Sequence, residues 1–216
     1  MTSPQRPLTL VFAAGAGVGL LGGMIGLGGA EFRLPILIGL FGFAALQAVI
    51  LNKALSLVVV ATALPARLNA VPLADLAPHW TVVANLLAGS IIGAWLGATL
   101  ATRMRSATLY RVLAALLVLI ATALAANHLG TLTAVDLTPK ARILAGLIAG
   151  VGIGAVAALM GVAGGELLIP TIVLLYGIDI KLAGSLSLAV SLPTMLVAFA
   201  RYSRDKSFAV LVENKT

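Results

Sequence analysis

The sequence predicts an all-α membrane protein, a polytopic helix bundle made of two related repeats, each with a short broken or re-entrant helix. Three observations predict it. Of the 216 residues, 61% are hydrophobic and 10% charged, whereas a soluble domain is roughly 25% charged. Apolar runs near the roughly 20 residues that span a bilayer occupy most of the chain. A glycine-rich stretch also recurs when the sequence is shifted by 135 residues against itself. The mean hydropathy of +1.12 excludes a water-soluble fold.

Hydropathy and helix breakers place apolar segments at 8–27, 32–46, 48–66, 80–101, 107–127, 141–160, 167–178 and 182–200. The first is a permanent helix and not a leader peptide, because apolar runs follow at once and no polar domain comes after it. Segments 32–46 and 167–178 are shorter than a normal span and each follows a glycine-rich break, as half-helices or re-entrant pieces do. The connectors 67–79, 102–106 and 127–140 are polar interhelical loops, and the tail 201–216, with Arg204, Asp205, Lys206, Glu213 and Lys215, belongs in water. The chain therefore forms one transmembrane domain over 1–216.

The repeat sets GLGGAEFRLP (26–35) on GVAGGELLIP (161–170). Gly26, Gly29, Glu31 and Pro35 fall on Gly161, Gly164, Glu166 and Pro170, while Gly15, Gly17 and Gly19 fall on Gly150, Gly152 and Gly154. ALSLVV (54–59) resembles SLSLAV (185–190) at a shift of 131, so the turn before it differs by four residues. Repeat one covers about 8–127 and repeat two about 141–216, the latter expected to lack counterparts of segments 80–101 and 107–127.

The formal charge of +7 comes mainly from short loops, which is a pattern of membrane orientation and not of nucleic-acid binding. With Arg33 and Lys53 set aside, the side bearing the N-terminus carries eight basic residues against four, so both termini are expected in the cytoplasm. The same count results whether the repeats are inverted or parallel. An absence of cysteine removes disulfides, thiolate metal sites and cysteine nucleophiles.

Ionisable groups inside a bilayer cost about 3 kcal/mol on insertion scales and are functional candidates for that reason. Glu31, Arg33, Lys53 and Glu166 qualify. The plainer alternative is that Glu31 and Arg33, at helix ends, reach water or each other. Where a helix restarts within a membrane, its free N–H groups and positive dipole end suit an anion. Gly28, Gly29 and Ala30, with Ala163, Gly164 and Gly165 in the second copy, would let backbone approach such a ligand, as broken helices do in transporters. Asn52, Lys53 and Ser56 in the first copy, and Ser185, Ser187 and Ser191 in the second, are positioned to complete the cradle. Lys53 supplies positive charge, and Glu31 or Glu166 handles a proton. Each serine can instead bond its own helix backbone.

Gly15, Gly19, Gly89, Gly93 and Gly97 read instead as helix-packing residues. Arg67, Lys181 and Arg201 read as interfacial anchors, and Trp80 and Trp95 as interface and bundle residues. His79 and His128 have no acidic or histidine partners in the sequence, so neither a metal nor a cofactor is implied. No GxSxG with a helical histidine, no HExxH and no paired aspartates in spans occur, so an intramembrane enzyme is not expected.

With GLGGAEFRLPIL and GVAGGELLIPTI each preceded by a glycine-studded helix, the chain resembles the sulfite exporter TauE/SafE family over most of its length. The resemblance implies secondary transport of sulfite, sulfonates or other small organic anions across a bacterial inner membrane, driven by an ion gradient such as that of protons. The family's usual second half is fuller, and Arg33 stands where a small or apolar residue would be less conspicuous. A shortened subunit that works only with a partner, and an anion channel, are the alternative readings. Homo-oligomerisation is left open.

Overall fold

The computed structural model describes residues 7–25, 28–128 and 137–211. Gly26, at the opening of the first break, and the tail beyond 211 lie outside them. In chain order the helices are α1 (Leu8–Ile25), α2 (Ala30–Gly39), α3 (Ala45–Ala70), the single turn α4 (Leu73–Leu76), α5 (Trp80–Arg103), α6 (Ser106–His128), α7 (Pro139–Met160), α8 (Gly165–Tyr176) and α9 (Ile180–Tyr202). A 3-10 turn joins α4 to α5, another covers Lys206–Leu211, and no strand is present among the described residues. Among the described residues, five stretches are long and apolar enough to cross a membrane: Ala45–Arg67, Leu73–Arg103, Ser106–Ala123, Pro139–Met160 and Ile180–Tyr202. This is a multi-pass membrane protein.

Local chemistry sets the ends. Pro139 opens α7 in its first turn, where a missing N–H costs nothing, and the Thr138 side chain accepts from the Ala141 N–H. At α9 the Asp179 carboxylate accepts from the N–H groups of Lys181 and Leu182. Between 32 and 46 the helix is shorter than the apolar run. α2 stops at Gly39 and α3 begins at Ala45, with Gly42 in a left-handed turn between them (φ 73°). The tail is also less solvated than its charge suggests. Residues Lys206–Leu211 fold back so that Val210 is buried and Phe208 meets Phe199 edge-on at 5.1 Å.

The best-fitted seam joins α5 to α7. A Cβ at Gly89 or Gly93 would strike the carbonyl of Leu147 or Val151, and one at Gly154 would strike the carbonyl of Ser90. Backbones approach this closely only with glycine at the crossing. The same reading fails for Gly15 and Gly19, around which a Cβ would meet nothing within 4 Å. On α1 the close-packed glycine is Gly22, which lies against Gly28 and Gly29.

Helix directions follow from side-chain ties. Arg67, near the end of α3, bonds to Ser185 and the Lys181 carbonyl at the start of α9. The C-terminal end of α7 receives Lys53 from the first turns of α3 and Tyr202 from the last turn of α9. α3 and α9 are thus antiparallel. Ser90 with Thr194 at 2.7 Å, and Arg201 with Thr99 at 2.9 Å, show α5 running in the same direction as α9.

Candidate functional site

Both short helices begin on a left-handed glycine, Gly29 (φ 71°) before α2 and Gly164 (φ 85°) before α8, and neither start has a side-chain cap. A positive φ is strained for any residue with a Cβ, and at Gly29 a Cβ would also press on the Val18 carbonyl at 2.8 Å. Each helix then carries a glutamate in its first turn and a proline four residues after it. The acid suits the positive helix end. Proline lacks an N–H, so Pro35 and Pro170 leave the backbone carbonyls of Glu31 and Glu166, respectively, without their helical donor.

A cavity of about 140 Å³ lies between these starts, enclosed by α2, α3, α8 and α9. That is ample against the roughly 10–15 Å³ that admits one water. Its polar wall is Arg33, Arg67, Ser56, Ser187, Ser191 and Glu166, and its apolar wall includes Val59, Ala63, Ile169 and Leu188.

Arg33 reaches the cavity from the first turns of α2 and is fixed from behind. Its Nε donates to Asn52 Oδ1 at 3.1 Å and its Nη2 to Ser56 Oγ at 2.6 Å. Asn52 is itself held by donating to the carbonyls of Ala30 (3.0 Å) and Met160 (3.2 Å), so one amide ties both breaks to α3. Ser56 adds a longer bond to the Gly161 carbonyl at 3.4 Å. A guanidinium held this way is preorganised for an oxyanion.

Lys53 is placed differently from what its charge suggests. It is 1% exposed and does not line the cavity. Its Nζ donates to the carbonyls of Ala157 (2.9 Å) and Val162 (2.6 Å), at and just past the end of α7, the negative end of that helix.

Glu31 and Glu166 come together. Glu166 is 2% exposed, and its carboxyl is near enough to that of Glu31 for the two to act on each other electrostatically. Both Glu31 oxygens and Glu166 Oε2 are buried and make no hydrogen bond to any group of the described protein. Lys53 and Arg33 are near enough to act on the pair electrostatically but donate elsewhere.

Of the residues singled out in the sequence, Gly28, Ala30, Ser56, Gly165, Glu166 and Ser187 line the cavity, as does Ser191, whose buried Oγ has no partner. Gly29 and Gly164 shape the helix starts beside it, Glu31 stands against Glu166, and Lys53 braces α7. Ser187 Oγ donates to the Gly184 carbonyl, and Ser185 Oγ accepts from Arg67 Nε at 3.3 Å. Arg67, read above as an interfacial anchor, is a cavity residue. The signal that could have found it is Pro65, which breaks the helical ladder two residues before it.

The sulfite exporter TauE/SafE family model matches residues 10–213. No curated protein and no solved structure matches the chain. Members of that family are membrane transporters and not enzymes. The match takes in both glycine breaks, both glutamates and every residue lining the cavity, and the chain belongs to the sulfite exporter TauE/SafE family.

Proposed function

We propose that this chain is a secondary transporter that carries sulfite, a sulfonate or a similar small oxyanion across a bacterial inner membrane, with the cavity between the two breaks as its anion site. The observation that carries this reading is Arg33, a guanidinium braced by Asn52 and Ser56 at the wall of a largely apolar cavity, between two uncapped helix starts. Free N–H groups at such starts and a fixed guanidinium both favour an anion. Gly28, Ala30, Gly165 and the hydroxyls of Ser56, Ser187 and Ser191 make up the rest of its surroundings.

In this reading Glu31 and Glu166 form the coupling device. A proton taken up by either carboxyl leaves at most one charge in the pair, and its loss sets two like charges near each other and drives α2 from α8. Lys53 serves as a brace that keeps the end of α7 in place while this happens. Arg103, Arg105, Arg201, Arg204 and Lys206 lie toward the C-terminal ends of α5 and α9, against Arg67, Lys140, Arg142 and Lys181 at the opposite end, an excess that supports a cytoplasmic side for the first group.

Purified protein in liposomes tests the proposal. An imposed proton gradient should drive saturable sulfite or sulfoacetate flux, and Arg33→Gln should remove it. Flux that is linear with anion concentration and indifferent to the proton gradient would favour a channel, and no flux in the native chain would favour a subunit that needs a partner.

A further inference from the structure

The cavity is bordered by unequal ties on its two sides. Behind its wall, toward the C-terminus of α7, the ties are buried and dense: Lys53 to Ala157 and Val162, Asn52 to Ala30 and Met160, and Tyr202 Oη to the Ala158 carbonyl at 2.8 Å. Toward the junction of α3 and α9, the tie is one half-buried side chain. Arg67 donates through Nε to Ser185 Oγ and through Nη2 to the Lys181 carbonyl, both at 3.3 Å.

These bonds go to neutral acceptors and lie beyond the usual 2.7–3.2 Å range for N–H···O. A guanidinium bond to an oxyanion is shorter and about twice as strong. The guanidinium also lies flush against Gly184, where any Cβ would have to displace it. Pro65, two residues before, removes one rung of the α3 ladder. The Ala61 carbonyl, one turn before Pro65, is therefore left without its helical donor.

We infer that Arg67 is both a ligand of the transported anion and the latch over its cavity. An oxyanion arriving between α3 and α9 takes the guanidinium from Ser185 and Lys181, so anion capture and release of the first turn of α9 from the last turn of α3 are one event. The identity of the trigger rests on the anion site proposed above, whereas the latch rests only on these contacts.

The chain has no cysteine, so one introduced thiol reports cleanly. Leu188→Cys places it on the cavity wall, one helical turn beyond Gly184. Its labelling by a polar maleimide in the detergent-purified protein is compared with native Arg67, with Arg67→Ala and with Gly184→Ala, which keeps the charge but leaves the guanidinium no room. Both variants should speed labelling by at least about ten-fold as the open population grows. Ser203→Cys, at an exposed position outside the cavity, should label equally in every background, which reports intact folding.

In parallel, sulfoacetate affinity is measured by thermal shift. Ser185→Ala frees the guanidinium from one competitor and should tighten binding by about two- to three-fold, whereas Arg67→Ala should weaken it by about ten-fold. Equal labelling in all backgrounds overturns the latch. Weakening by Ser185→Ala overturns the competition between latch and anion. Faster labelling in a protein that binds no anion upholds the latch and overturns its trigger, and with it the proposed function.

Discussion

Glu31 and Glu166 stand 135 positions apart in the sequence and meet side by side in the fold, each in the first turn of a short helix that restarts after a left-handed glycine. Both oxygens of Glu31 and Oε2 of Glu166 are buried without a hydrogen-bond partner. Glutamine in either place keeps the shape and removes the exchangeable proton. Glu31→Gln and Glu166→Gln should each abolish flux driven by a proton gradient while leaving equilibrium anion affinity within about a factor of two. Liposome flux measured beside thermal-shift binding checks this, and normal gradient-driven flux in both variants would remove the pair from the coupling role.

Arg33 contributes its fork as well as its charge. Nε and Nη2 are both engaged, with Asn52 and Ser56, and a lysine could not make the two bonds and face the cavity at once. Arg33→Lys is expected to weaken sulfite binding by about ten-fold despite the conserved charge. Titration calorimetry on the detergent-purified protein reads the change directly.

Lys53 separates a brace from a ligand. Replacing it with methionine strips the carbonyls of Ala157 and Val162 of a buried charged donor, at a cost of about 2–4 kcal/mol. Lys53→Met should therefore lower the thermal midpoint clearly, while the molecules that remain folded bind anion as the native chain does. Intact stability with lost binding would return Lys53 to the anion site.

The glycine series gives a contrast within one residue type. Gly93→Ala would drive a methyl group into the Val151 carbonyl, and should destabilise the α5–α7 seam by about 2 kcal/mol or more. Gly15→Ala and Gly19→Ala meet open space, and alanine improves helix propensity by about 1 kcal/mol. Chemical denaturation of the three variants should order them accordingly.

Much of the fold was legible because it is written locally. The runs 80–101, 107–127 and 141–160 fall within α5, α6 and α7, since apolar length and flanking polar residues fix where a membrane helix begins and ends. The two breaks were legible through their shared glycine, glutamate and proline. What depends on distant partners was not. Gly15 and Gly19 have the same spacing as Gly89 and Gly93, yet only the second pair meets a facing backbone. Lys53 looks like a free cation until the end of α7, 104 residues away, is brought to it. Arg67 has the sequence setting of an interfacial anchor, and its place over the cavity is set by α9 folding back antiparallel to α3.

The most direct measurement is calorimetric titration of sulfite and sulfoacetate into the native protein and into Arg33→Gln. The account predicts saturable binding of at least one of these anions by the native chain, weakened at least about ten-fold in the variant. Equal affinity in the two proteins would place the anion elsewhere, and no binding to the native chain would contradict the site altogether.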